Sequence, residues 1–430
     1  MISAQSRPFI DASVEVLREH GLTITRTFYS SMFKAHPELT NLFNMGNQAS
    51  GAQQQSLASA VFAYAANIDN AAALGPVVKR IVHKHASVGI TADHYPIVGR
   101  HLLGAIQTVL KDAASPPLLA AWDEAYTALA NALISAEKEL YTEAGVSPGE
   151  LHPMRVTLIE QQSEQITSYT LEPAEGERLP PFKPGQYLSV SIPLENGGRQ
   201  LRQYSLSDKP NGSSLRISVK RETAGTHTPA GQISNWIHNN VKLGDTLQVT
   251  HPFGEFTPDT ASSQPLVLLS AGVGITPMIS VLNTIAATNP QRQVIFGHGA
   301  LLGLEQFPGR LPEQAQPAHE MLLRDAGQGH VLAVDVALEL AGSHQDGGPE
   351  IHHARQVLLP AACQHLLEDG PDHLVLAHPV VKAVHQFGDG FVGEGGVFHG
   401  GSSLRQIRTG SPAFRGRTLR GAGARPARRL

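Results

Sequence analysis

Apolar residues in the first third of the chain recur every three to four positions. Phe28, Met32 and Phe33 share one helical face, and Val77, Val78, Ile81, Val82 and His85 share another. Punctuation predicts the breaks. Gly21 is expected to end the first helix, Pro37 to open a short one after His36, and Gly75-Pro76 to precede the helix of His85. From Pro117 a long pattern runs through Trp122, Tyr126, Leu129, Leu133 and Leu140. Residues 1 to about 145 therefore read as all-α. Near Gly145-Val-Ser-Pro-Gly149, a plausible linker, the period shortens. Alternating runs at Met154–Ile159, Ile166–Leu171, Tyr187–Ile192, Leu215–Val219 and Thr246–Val249 predict an antiparallel barrel. Near Pro265 the pattern changes again. Leu266–Ser270 reads as a buried strand, a glycine-rich turn and a helix to Ala287 follow, and Val294–Gly297 reads as a parallel strand. This is the opening of a doubly wound α/β unit.

After about His298 the pattern fades. Residues 299–430 contain no Tyr, Trp or Asn and a single lysine, Lys382, while the extreme end is basic. Two readings stand: a divergent or disordered tail with a positive end, and out-of-frame translation of a GC-rich gene. The abruptness of the change, inside a βαβ unit, favours the second.

Composition narrows the chemistry. A length of 430 residues suggests two to three domains. A net charge of −4 gives no basic field for nucleic acid. The N-terminus lacks the apolar core of a secretory signal, and no window approaches the ~18 apolar residues of a membrane span. A cytoplasmic monomer is the expectation. Cys363 is the sole cysteine, so an internal disulfide or a cysteine-rich metal site is excluded. Redox chemistry would need bound cofactors.

Two residues in the helical region stand out. His85 lies on an apolar stripe and reads either as a satisfied core histidine or as a ligand. His83 points elsewhere around the helix, so a two-histidine metal face is not supported. Glu137 has Leu133, Ile134, Leu140 and Tyr141 as helical neighbours. A carboxylate there either snorkels outward with Lys138 and Glu139 or needs a buried partner, at a cost of several kcal/mol if it has none.

Residues 1–143 resemble the globin domain of the flavohaemoglobins. The matching stretches are Phe28-Tyr29, Met32-Phe33, His36–Leu39, Leu42–Met45, Gln53–Leu57, Lys84–Ser87, Tyr95–Gly99 and Glu137–Tyr141. The resemblance implies haem b with His85 as proximal iron ligand, and Tyr95 and Glu137 hydrogen-bonded behind it. That arrangement would strengthen the imidazole as a donor and favour oxygen activation over carriage. It implies Tyr29, Gln53 and Leu57 on the opposite face, where the Tyr29 hydroxyl can donate to a ligand. Phe43 would lie against the porphyrin, with Lys84 among the cofactor-binding residues.

Further along, Pro184-Gly-Gln-Tyr187, Arg202-Gln-Tyr-Ser205 and Gly231-Gln-Ile-Ser-Asn-Trp236 occur in that order. Together they resemble the flavin-binding barrel of the ferredoxin reductase superfamily, here over 150–262. The resemblance implies that FAD is held by Tyr187, Arg202, Gln203, Tyr204 and Ser205. Arg202 would pair with the pyrophosphate, Tyr204 and Tyr187 would flank the flavin, and Gln232, Ile233 and Ser234 would offer backbone amides at a helix start. Residues 263–298 would begin an NAD(P)-binding domain, with Gly272, Val273, Gly274, Ile275, Thr276 and Pro277 forming the dinucleotide turn. The family continues with a Cys-Gly-Pro motif near the nicotinamide and a Phe-Gly-Pro segment over the flavin. Neither is present after Pro277, so the α/β domain reads as incomplete or aberrant.

The expected activity is that of a nitric oxide dioxygenase. NAD(P)H reduces FAD, FAD reduces haem, and nitric oxide and dioxygen give nitrate. The alternatives are an oxygen- or nitric-oxide-binding globin with a defective reductase half, and a flavin reductase with another acceptor.

Overall fold

The computed structural model describes residues 2–194, 197–225 and 229–300, together with strands at 321–326, 329–337 and 374–376. The helical part contains α1 (Arg7–Ala35), a 3-10 turn at Pro37–Asn41, α2 (Met45–Ala49), α3 (Ala52–Ala66), α4 (Ala71–Ala86), α5 (His94–Leu110) and α6 (Pro116–Ala144). Its core gathers Ile10, Phe28, Met32, Ile106, Ala121, Trp122 and Ala125. Burial of each large apolar side chain contributes roughly 1.5–3 kcal/mol.

Two expected breaks fall elsewhere. Gly21 does not end the first helix, because α1 runs straight through it. A Cβ at Gly21 would make only ordinary contact, 3.6 Å from Ala58 Cβ, so the position does not require glycine, and α1 continues through it because Leu17, Ile24, Phe28 and Met32 are buried along the same helix. That tertiary gain outweighs the roughly 1 kcal/mol of helix propensity a glycine loses. Gly75-Pro76 lies inside α4 rather than before it. The helix begins a turn earlier, where Asn70 Oδ1 accepts from the Ala73 amide at 3.1 Å. Pro76 sits near enough to the helix start to forfeit just one intrahelical bond.

After α6, Gly145 caps the helix with φ +67° and the chain enters the barrel. Its strands are β1 (Leu151–Gln161), β2 (Ile166–Pro173), β3 (Tyr187–Pro193), β4 (Arg199–Ser205), β5 (Leu215–Lys220) and β6 (Thr246–Thr250), with α7 (Gln232–Asn240) before β6. The strand order is β4-β3-β6-β1-β2-β5, and every pairing is antiparallel. A bridge between Leu206 and Ile217 joins the two ends. Alternation is clean in β5, where Leu215, Ile217 and Val219 point inward and are fully buried. Ile233 and Ile237 of α7 complete this core.

The third part opens with β7 (Leu266–Ala271), a 3-10 turn at Gly272–Gly274, α8 (Ile275–Thr288) and β8 (Val294–Ala300). β7 and β8 are parallel, as a right-handed β–α–β crossover requires. Three strands from beyond residue 299 join this sheet: β9 (Met321–Ala326), β10 (Gly329–Ala337) and β11 (Leu374–Leu376), in the order β11-β7-β8-β10-β9. Cys363, and the remainder of the tail with its out-of-frame reading, lie outside the described residues. Among the described residues no helix is long and apolar enough to cross a membrane.

Candidate functional site

His85 stands in the last turn of α4, and Glu137 reaches it from α6. Glu137 is 3% exposed, which rules out snorkelling. Its Oε1 accepts from His85 Nδ1 at 2.7 Å and from the Tyr95 hydroxyl at 2.6 Å, and the hydroxyl also lies 3.2 Å from Nδ1. A carboxylate can only accept, so Nδ1 carries a proton, and Nε2 is the ring nitrogen left to meet a metal. The buried carboxylate and the half-buried histidine thus explain each other. Desolvation, followed by the bond and charge of Glu137, pushes the Tyr95 phenol far above its ordinary range. Tyr95 is therefore a permanent donor.

Two tyrosines that the sequence reading left as core residues support this cluster. Tyr126 Oη donates to the Tyr95 carbonyl at 2.6 Å, and Tyr141 Oη donates to the Ile90 carbonyl at 3.0 Å. They hold the start of α5 and the turn after α4. The signal that could have found them was there: aromatic residues sharing the long α6 face with Glu137.

On the opposite side, Tyr29 is buried at 5% exposure. Burial raises its phenol to about 12, against a smaller lowering from a hydrogen bond with Gln53. Tyr29 and Gln53 are therefore brought together, and the hydroxyl stays protonated as a donor. Phe43 meets Tyr29 edge-on at 5.7 Å. Leu57 packs half-buried against the same core. A buried amide pair went unnoticed in the sequence: Gln54 Nε2 donates to Gln48 Oε1 at 2.9 Å, while Gln48 Nε2 and Gln54 Oε1 lack partners.

A haem fits these residues. The donor set is one imidazole nitrogen, with its other nitrogen fixed by a carboxylate. The helices on either side, α3 and α4, bury few residues: Gln54 and Ala65 on one, Val82 and Ala86 on the other. Leu57, Val61, Phe62, Val78 and Ile81 stay half-covered between them, as the walls of an apolar cofactor slot would.

The barrel brings Arg202, Gln203, Tyr204 and Ser205 together on β4. Register pairs Leu188 with Tyr204 and Tyr187 with Ser205. Side chains alternate along a strand, so Tyr204 lies on the core side and Tyr187 on the other. Tyr187 makes a hydrogen bond with Ser87 of the helical part. Arg202 donates to Gln200 Oε1 at 3.0 Å and to the Leu201 carbonyl at 2.8 Å. Among the described residues it has no carboxylate partner, and burial lowers its pKa. A half-buried guanidinium without an anion suits a pyrophosphate.

Gln232, Ile233 and Ser234 form the first turn of α7, which has no side-chain cap. Their amides are free of intrahelical acceptors, as an anion site requires. Gly231 precedes them because a Cβ there would lie 2.7 Å from both Glu222 Cβ and Ser234 Oγ. The Gly272–Gly274 turn leads into α8 with Val273 44% exposed, while Ile275, Thr276 and Pro277 open the helix. Lys84 points away from the His85 cluster, and its ammonium donates to Gln203 Oε1.

The globin family model matches residues 26–133, and the oxidoreductase FAD-binding domain model matches 153–257. The flavohemoprotein of Chromobacterium violaceum is 47% identical over 326 residues, covering 75% of this chain and 80% of that protein. The flavohemoprotein of Rhizobium meliloti is 47% identical over 304 residues, covering 70% and 75%. Among solved structures, the flavohemoglobin of Malassezia yamatoensis with bound FAD and heme is 30% identical. It covers 70% of this chain and 77% of that one, with a TM-score of 0.62.

Proposed function

The chain belongs to the flavohemoprotein family, and from that premise we propose that it is a nitric oxide dioxygenase that converts nitric oxide and dioxygen to nitrate. The observation that carries the reading is the His85–Glu137–Tyr95 cluster, in which the buried Glu137 places Oε1 2.7 Å from His85 Nδ1. When bound, haem supplies the iron centre for the reaction and FAD the one-electron steps from NAD(P)H. His85 Nε2 would hold the iron. Glu137 orients the ring and raises its electron donation, which suits oxygen activation better than reversible carriage. Tyr29, kept protonated by burial, donates a hydrogen bond on the opposite face, and Gln53 fixes the direction of that hydroxyl. Arg202 and the first turn of α7 would hold the FAD pyrophosphate. Gly272–Pro277 would take the NAD(P)H pyrophosphate. The activity is expected of a monomer in the cytoplasm.

Mixing the reduced, oxygen-equilibrated protein with nitric oxide in a stopped-flow instrument tests this directly. Consumption within the mixing time, with nitrate as product, is expected; loss over seconds would sink the reading. A second reading has its own observation. Cys-Gly-Pro is absent, and Cys363 sits in Ala-Ala-Cys-Gln-His. An oxygen-binding globin with a defective reductase half would show a flavin that NADH fails to bleach anaerobically. Fast bleaching followed by haem reduction excludes it.

A further inference from the structure

Six consecutive residues, His251-Pro-Phe-Gly-Glu-Phe256, touch all three parts of the molecule. Phe253 is 3% exposed and closes a small apolar cluster with Ala86 of α4 and Tyr141 of α6. Its ring meets Tyr141 edge-on at 6.0 Å. Its backbone exchanges two 2.8 Å hydrogen bonds with Tyr187 at the start of β3. The next amide, Gly254 N, donates to His83 Nδ1 at 3.1 Å, and Glu255 accepts from Arg80 Nε at 3.2 Å. Phe256 then packs against the α/β core of Leu266, Leu268, Met278 and Val281. Gly254 has φ +139°, and a Cβ there would lie 3.2 Å from the Tyr187 ring, so the tight passage between domains needs glycine.

The partners on α4 are spaced in a telling way. Arg80, His83, Lys84 and Ser87 meet Glu255, Gly254, Gln203 and Ser189 respectively. Positions i, i+3, i+4 and i+7 form one helical face. Val78, Ile81 and His85 occupy another. The helix that carries the iron ligand therefore has a separate face given to the barrel, and segment 251–256 supplies two of its four contacts while Phe253 packs beside its end.

We propose that segment 251–256 is a positioning element that fixes the seat of α4 on the barrel, and with it the gap between flavin and haem. Phe253 is its central residue. This rests on the reading above, in which an electron leaves reduced flavin and reduces ferric haem, with no bond made or broken. Tight docking matters because electron transfer slows exponentially as the gap between donor and acceptor widens.

The test uses the full chain loaded with haem and FAD, and compares wild type with Phe253→Ala and Phe253→Leu. Photoreducing the flavin with light and a deazaflavin bypasses the nicotinamide. In Phe253→Ala, flavin-to-haem transfer should slow several-fold, while ferricyanide reduction by the flavin and the Soret band stay as in wild type. Leucine should recover most of the rate. Hydrogen exchange should quicken in peptides covering 83–90 and 251–256 of the alanine variant. Wild-type transfer and wild-type exchange in that variant would overturn the proposal. If Phe253→Ala does not fold, Arg80→Ala replaces it, with a several-fold slowing expected and an unchanged rate counting against. Should wild type itself transfer no electrons, the functional reading fails. The exchange data then decide the docking role: faster exchange supports it and unchanged exchange overturns it.

Discussion

Glu137 and Arg202 are both charged side chains drawn away from water, one behind the haem slot and one at the flavin barrel. Glu137 has its partners inside the protein: His85 at 2.7 Å and Tyr95 at 2.6 Å. Arg202 has a glutamine oxygen and a carbonyl, and no ion-pair partner among the described residues. In the first site the protein itself supplies the partners of the buried charge. The second is organised around an anion the protein does not supply. Each arrangement therefore predicts a different response when its centre is removed.

The largest effect is expected at His85. His85→Ala deletes the iron ligand while leaving Glu137 and Tyr95 to pair with each other, so the chain should fold but hold little haem. Absorbance at the Soret band relative to protein should fall close to background, with FAD content unchanged. Retention of a wild-type Soret spectrum would break the comparison at its root. Next comes Arg202→Ala. Hydrogen bonds to charged groups are worth about 1.5–3 kcal/mol, so FAD affinity by fluorescence titration should fall about ten- to a hundredfold, with haem content unaffected. A variant that loses haem as well would show the two sites to be coupled rather than separately built. Smaller again is Glu137→Gln, which keeps the volume and removes the charge. Outer partners of metal ligands are worth roughly tenfold at the low end. The haem should remain bound, its reduction potential should rise, and nitric oxide consumption should slow by about that factor.

How much of this could be read from residues alone follows the same division. The pattern marked Glu137, on an apolar face, and His85, on an apolar stripe, as anomalies but left each open, and it was the resemblance to the flavohaemoglobins that joined them. The β strands were legible through alternation, as in β5. Gly21 and Pro76 misled because propensity is local, whereas the burial that carries α1 through Gly21 is tertiary. The faces of Tyr187 and Tyr204 depend on β3–β4 register, which no short motif states. The contacts of α4 with the barrel join residues more than a hundred positions apart. Nothing in the spacing of Arg80, His83, Lys84 and Ser87 says what they meet, although the stripe itself was there to see.

His251 offers the smallest test, and a sharp one, because it is withdrawn from water without any charge at all. It sits between His152, 6.5 Å away ring to ring, and Phe253 at 5.3 Å, with Glu150 the acidic group that opposes the effect. Burial, and then the neighbouring His152, lowers its pKa from 6.5 to about 4. Folding therefore excludes a proton that the unfolded chain binds between these values. The contribution is present in full above pH ~6.5 and is lost as pH falls toward ~4. Solvent screening holds its size to on the order of 1 kcal/mol. In urea titrations at pH 7 and pH 5, wild type should lose stability on acidification, and His251→Gln should lose less by about that amount. Haem and FAD content should be equal in the two proteins, since His251 serves neither centre. An identical pH dependence in wild type and variant would mean that His251 is as free to protonate in the folded chain as in the unfolded one, and that its place between His152 and Phe253 is not closed to water.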